Sequence, residues 1–106
     1  MANEETNLQA EIMLALSADG HVPLRNNTGA FKDKNGRYVK FGVGGKGGPD
    51  LWVICNDGMA CAIEVKTHKG RVRTEQESFL SMVRAKGGRA GIARSVEDAL
   101  RIAKGG

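Results

Sequence analysis

The chain has 106 residues, 41% hydrophobic and 26% charged, which is the size and composition of one globular domain spanning residues 1–106. Its net charge of +4 favours a polyanionic partner. No apolar run approaches the ~20 residues of a membrane span, the acidic start is unlike a signal peptide, and two cysteines make no disulfide framework. A membrane protein, a secreted mini-protein, a repeat array and a disordered tail are excluded, and a cytoplasmic, reducing compartment is expected.

In chain order, residues 4–17 are predicted to form an amphipathic helix, with Leu8, Ile12 and Leu16 on one stripe and Gly20 as its stop. A short strand over 22–27 leads into Asn26-Asn27-Thr28-Gly29. The Asn35-Gly36 turn signal introduces a strand over Tyr38–Phe41, within a basic hairpin. A glycine-rich stretch, Gly42 to Pro49, comes next. Leu51–Cys55 and Met59–Val65 read as strands joined by Asn56-Asp57-Gly58. Thr74–Lys86 reads as a helix with Thr74 and Glu77 as a capping box, an apolar face of Phe79, Met82 and Val83, and Gly87-Gly88 as its stop. A strand over Ala90–Ala93 and a last helix to Ala103, opened by Ser95 and Asp98, complete the pattern.

Charge is uneven along this layout. Residues 1–20 carry four acids and no Lys or Arg, whereas residues 21–74 carry ten bases and four acids. Summed charge is what binds phosphates, so the middle third is the candidate nucleic-acid surface, with Arg25, Lys46, Lys69, Arg71 and Arg73 as its contacts.

Gly42, Gly44 and Gly47 fit G-x-G-x-x-G, but a Pro and a strand follow where a dinucleotide site needs a helix. Lys46 is followed by Gly rather than Ser or Thr, so a Walker A loop also fails and no nucleotide cofactor is expected. What remains is a loop with little side-chain bulk that lets a polyanion come close, with Lys46 supplying charge.

The chemistry concentrates in Pro49-Asp50 and Glu64-Val65-Lys66. Glu64 and Lys66 lie two apart at the end of an otherwise buried strand, so both point to one face. Ionised groups are rarely buried unless paired or bound to metal. A three-residue Asn56-Asp57-Gly58 loop, with Gly at the left-handed position, sets Asp50 directly opposite Glu64 with Cβ atoms roughly 4.5–5.5 Å apart. A two-residue loop would put them on opposite faces. The first register is preferred, because two carboxylates at that spacing can share one hard cation. Such a cation takes oxygen ligands, among them the Val65 carbonyl, and keeps several waters. Lys66 would orient the attacking water or stabilise charge on the phosphate.

These motifs resemble the PD-(D/E)xK nuclease superfamily and, in finer pattern, its virus-type replication-repair nuclease (VRR-NUC) branch. The carriers are Glu11 in the first helix, Arg25-Asn26-Asn27 with Gly29, Gly48-Pro49-Asp50-Leu51, and the tract Ile63-Glu64-Val65-Lys66, Gly70-Arg71, Thr74-Glu75-Gln76 and Phe79. The resemblance runs from about Glu4 to Ala99. It implies an α/β fold with a restriction-endonuclease-like αβββαβ core, a mixed central sheet flanked by helices. It also implies metal-dependent hydrolysis of DNA phosphodiesters with Mg²⁺ or Mn²⁺, one or two ions per site. Asp50 and Glu64 would be metal ligands and Lys66 the catalytic lysine. Glu11 would complete or water-bridge the metal site, and Gln76 would align Lys66 or the phosphate.

The expected function is thus an endonuclease for structured DNA such as a four-way junction. A homodimer is expected to cut both strands of a symmetric substrate. The family association is with phage, hence a host cytoplasm, and with DNA repair. The alternatives are a non-catalytic basic nucleic-acid-binding module, and an exonuclease or restriction-type nuclease of the same fold. His21 and His68 are read as isolated, and Cys55 and Cys61 as small core residues without zinc-ligand spacing.

Overall fold

The structure, a computed structural model, describes residues 3–106. Helix α1 (Glu4–Ala18) starts at Asn3, whose side chain accepts the Thr6 N–H at 2.7 Å. It is followed by β1 (Val22–Arg25), β2 (Gly29–Lys32) and β3 (Tyr38–Phe41). A single 3₁₀ turn (Gly45–Gly47) precedes β4 (Leu51–Ile54) and β5 (Ala60–Val65). Helix α2 (Thr74–Ala85), β6 (Arg89–Ala93) and α3 (Val96–Ala103) complete the chain.

Four strands form one mixed sheet in the order β1-β4-β5-β6. The β1–β4 and β4–β5 pairs are antiparallel, and β6 lies parallel to β5 after the α2 crossover. One face buries Leu51, Val53, Cys55, Cys61, Ile63 and Val65 against Ile12 and Leu16 of α1 and Ala99, Ile102 and Ala103 of α3. The other face packs Ala62 and Trp52 against Leu80, Val83 and Phe79 of α2. This is the mixed sheet flanked by helices that the family resemblance implies. The strands β2 and β3 do not join it: they pair only with each other, as a separate ribbon.

The β4–β5 pairing sets Leu51 opposite Ile63 and Ile54 opposite Ala60, so its extension sets Asp50 opposite Glu64. The turn fixes that register. Gly58 sits at φ +84°, and its N–H donates to the Cys55 carbonyl at 2.8 Å. Arg89 clamps the turn with a two-pronged ion pair to Asp57 (3.0 and 2.6 Å).

Three local expectations are corrected. The N-cap of α2 is Arg73 rather than Thr74, and the side chain that returns to it is that of Gln76, whose Oε1 accepts the Arg73 N–H at 2.9 Å. Met82 does not join the apolar face of α2. It is exposed, and Leu80 is buried in its place. His21 is not isolated: its Nδ1 accepts the Asn56 N–H at 3.1 Å, and its Nε2 lies 3.2 Å from the Asp19 carboxylate. Cys55 and Cys61 are buried and unpaired, and burial pushes the Cys61 thiol up to about 12. No helix among the described residues is long and apolar enough to cross a membrane.

Candidate active site

Three carboxylates meet where β4 begins and β5 ends. Glu5, Asp50 and Glu64 each bring one oxygen within 4.8 Å of the others. Asp50 follows Pro49 at a bend just before β4, so its side chain is free to turn across the strand end. Its Oδ2 accepts the N–H of Val65 at 2.8 Å. Its own carbonyl accepts the N–H of Asn26 at 2.9 Å and the Gln9 side-chain amide at 3.5 Å. Asp50 is thus anchored twice, its carboxylate by the Val65 N–H and its carbonyl by Asn26.

Glu64 is 3% exposed, the most buried acid in the group. Its Oε1 accepts a hydrogen bond from Gln76 Nε2 at 2.9 Å. Its Oε2 is buried with no hydrogen-bond partner among the described residues. Burial pushes this carboxyl up to about 8, helped by the Asp50 carboxylate and, more weakly, by Glu5, while the Lys66 ammonium pulls the other way. An acid with a buried unpartnered oxygen, grouped with two more carboxyl groups, fits a hard divalent cation, which would satisfy it and offset the repulsion.

Gln76, only 4% exposed, braces this arrangement. One end of its amide caps α2 and the other fixes Glu64, so the helix start and the acidic site are built by the same side chain. It does not hydrogen-bond Lys66, as the sequence reading allowed.

Glu11 is not part of the cluster. It is exposed on α1, and Glu5 takes the helix-one place instead. Glu5 lies seven residues before Ile12, about 20° away round the helix at about 100° per residue, so it extends the buried stripe toward the sheet end. Glu11 lies about 100° from Ile12, and its side chain leaves into solvent.

Lys66 is half-buried one step past β5, its N–H donating to the Ala93 carbonyl at 3.0 Å. The turn that follows is locked by Arg94, a residue that no motif in the sequence singles out. Its Nη1 donates to the carbonyls of Thr67 (2.6 Å) and Gly70 (2.9 Å). A Cβ at Gly70 would press within 3.3 Å of the Lys66 side chain, so the glycine leaves room for the lysine stem.

Asn26, which carries the resemblance without an assigned role, is a second such device. Its Nδ2 donates to the carbonyls of Val43 (2.7 Å) and Pro49 (2.9 Å), and its Oδ1 accepts the Val43 N–H at 3.1 Å. The end of β1, the glycine-rich loop and Asp50 are therefore tied at one residue. The loop itself packs on α2: a Cβ at Gly47 would collide with the Glu75 backbone, whereas Gly45 faces open space.

The bases surround this end of the sheet. Lys46 is exposed on the 3₁₀ turn, and its carbonyl lies 3.5 Å from Arg73 Nη2. Lys69 and Arg71 are exposed on the loop after Lys66. Arg25 is exposed at the end of β1, opposite Leu51, with its guanidinium 3.9 Å from the Met13 sulfur. His68 is exposed on the same loop as Lys69.

The family model of the VRR-NUC domain matches residues 5–97 of this sequence. The chain belongs to the VRR-NUC family. A solved structure described as a VRR_NUC domain shares the fold, with a TM-score of 0.67 and 20% identity over 98% of each chain. No curated protein matches the chain. VRR-NUC domains are nuclease domains, so this one has a nucleic-acid substrate, and an acidic cluster of the kind a nuclease needs is present.

Proposed function

We infer that this VRR-NUC domain is a divalent-metal-dependent deoxyribonuclease that cuts structured DNA internally. The observation that carries the reading is the meeting of three acidic side chains, Glu5, Asp50 and Glu64, one oxygen of which is buried without a partner. Repelling carboxylates at a strand end cost stability, and a Mg²⁺ or Mn²⁺ ion, one or two per site, reverses that cost. Asp50 and Glu64 would be the main ligands, with Glu5 and the Val65 carbonyl completing the set. The bound ion supplies Lewis-acid charge against the scissile phosphate.

The chain's own groups do the remaining work. Lys66, on the adjoining turn, orients the attacking water and stabilises the extra negative charge as the new P–O bond forms and the bond to the leaving sugar oxygen breaks. Gln76 holds Glu64 in its ligating rotamer and is a positioning residue. Arg25, Lys46, Lys69, Arg71 and Arg73 carry the phosphate backbone past the site. Among the described residues one chain offers one such site, so a symmetric four-way junction calls for two copies, and sedimentation at working concentration would give the mass of a dimer.

The test is to incubate the protein with labelled four-way junction, flap, single-stranded and linear duplex DNA, in Mg²⁺, in Mn²⁺ and in chelator, with Lys66→Ala alongside. Cutting that needs metal, favours the junction and disappears with Lys66→Ala is the expected result. Cutting that persists in chelator or in Lys66→Ala contradicts it. Binding without cutting in any metal would leave a basic DNA-binding module.

A further inference from the structure

The β2–β3 ribbon stands apart from the sheet, and all eight of its strand residues are exposed. A two-stranded hairpin is marginal in water, so its retention needs a cause. The radius of gyration, 14.3 Å, exceeds the about 13 Å expected of a compact domain of this length, in keeping with an arm that leaves the body.

Its two faces differ in kind. The register pairs Gly29 with Phe41 and Phe31 with Val39, so these four share one face. There the Phe31 and Phe41 rings pack 6.3 Å apart, and the Phe41 ring lies where a Cβ on Gly29 would be. This face holds the ribbon's shape from within. The other face carries Ala30 opposite Lys40 and Lys32 opposite Tyr38. Lys32 Nζ sits 5.4 Å over the Tyr38 ring, which is 72% exposed. Among the described residues, neither Lys32 nor Lys40 has an acidic partner within salt-bridge distance, whereas Arg37 is paired with Asp33 at the turn.

The base of the ribbon leads to the acidic cluster. Thr28, Lys40, Gly42 and Lys46 line a groove of about 390 Å³ between the ribbon and the glycine-rich loop. Asn26 ties the two ends of this insertion to the Asp50 backbone. Lys32, Lys40 and Lys46 therefore make a basic path from the exposed arm toward the carboxylates.

We propose that the β2–β3 ribbon is a duplex-binding arm, whose Lys32–Tyr38–Lys40 face grips the phosphate backbone of the DNA flanking the cleavage point. The B-form major groove admits a two-stranded ribbon, and unpaired lysines on its outward face meet phosphates at low desolvation cost. The arm extends the footprint beyond the residues at the catalytic end and selects substrates that keep a duplex stretch beside the cut. The proposal rests on DNA as the substrate and does not need catalysis.

The experiment measures duplex binding by fluorescence anisotropy in chelator, across a salt series, for the intact chain, Lys32→Ala/Lys40→Ala and Lys86→Ala/Lys104→Ala. The last pair removes the same charge at the C-terminal ends of α2 and α3. The arm variant should bind about tenfold more weakly. Its slope of log affinity against log salt should flatten by about 1.8, at ~0.9 per lost phosphate contact. The control should bind nearly as the parent does, and both variants should melt close to the parent, the control losing only the exposed Lys104–Asp19 pair, and keep its metal-induced stabilisation. An unchanged slope in the arm variant, or an equal loss in the control, overturns the proposal. So does a change of sedimenting mass in the arm variant, which would make the ribbon a contact between copies of the chain. A protein that binds through the arm and never cuts would sink the nuclease reading and leave the arm standing.

Discussion

The two ends of the β4–β5 pair carry acids in opposite circumstances. At the turn, Asp57 is clamped by Arg89, and Asp19 lies between His21 and Lys104 (3.2 and 3.5 Å). The Arg89 hydrogen bonds hold the Asp57 carboxyl below its ordinary range. At the open end, Glu5, Asp50 and Glu64 face one another, and burial with Asp50 beside it holds Glu64 up near 8. The chain neutralises the first set itself and leaves the second for a cation from solution. The same residue type thus reads as fold at one end of two strands and as chemistry at the other.

The largest effect expected from breaking this contrast is on cleavage. Asp50→Asn keeps the shape but removes a ligand charge, and the cutting rate in Mg²⁺ should fall by about 10³-fold or more with little change in duplex affinity. A rate within tenfold of the parent would mean that the open end is structural.

The next effect is on metal-free stability. Glu64 has its folded pKa raised, from 4.5 to about 8, so the folded state binds more protons than the unfolded chain between those values. Metal-free stability should therefore be fully present below about pH 4.5 and decline as pH rises toward 8, by this group's contribution. Glu64→Gln should remove that decline, and at pH 8.5 in chelator it should melt several degrees above the parent while losing the metal-induced rise in melting temperature. Parallel melting curves for the two proteins across this pH range would contradict the assignment.

Gln76→Ala sharpens the contrast at one remove. It frees Glu64 and uncaps α2, so metal affinity should fall by roughly 10- to 100-fold. Saturating Mn²⁺ should rescue cutting, a recovery that a role confined to helix stability would not show. The smallest effect belongs to the turn: Asp57→Asn should lower the melting temperature slightly and leave cleavage per folded molecule unchanged.

Much of the open end is legible in the sequence, for reasons that can be named. The Asn56-Asp57-Gly58 turn specifies the register, and that register alone sets Asp50 opposite Glu64. The helix-one acid is harder, because Glu5 and Glu11 are both acids near an apolar stripe. Continuing the Ile12–Leu16 stripe backwards selects Glu5, but only the position of the helix against the sheet end makes the choice matter. The cap of α2 moved by one residue because Gln76 serves both the helix and Glu64, a tertiary constraint that local capping rules do not contain. The ribbon's separation from the sheet could not be read either. Phe31, Val39 and Phe41 look like core-strand residues until their neighbours are known to be one another. Asn26 and Arg94 act through backbone carbonyls, which leave no pattern in side-chain spacing.

The most direct measurement is calorimetric titration of Mn²⁺ into the metal-free protein at pH 7, in two buffers of different protonation enthalpy, with Glu5→Gln, Glu11→Gln and Asp50→Asn in parallel. A cation should bind with release of a proton as Glu64 ionises. It should bind more weakly to Glu5→Gln, hardly at all to Asp50→Asn, and unchanged to Glu11→Gln. Binding that ignores Asp50→Asn, or a parent that takes up no metal, would contradict the view that this end of the sheet is built for a cation.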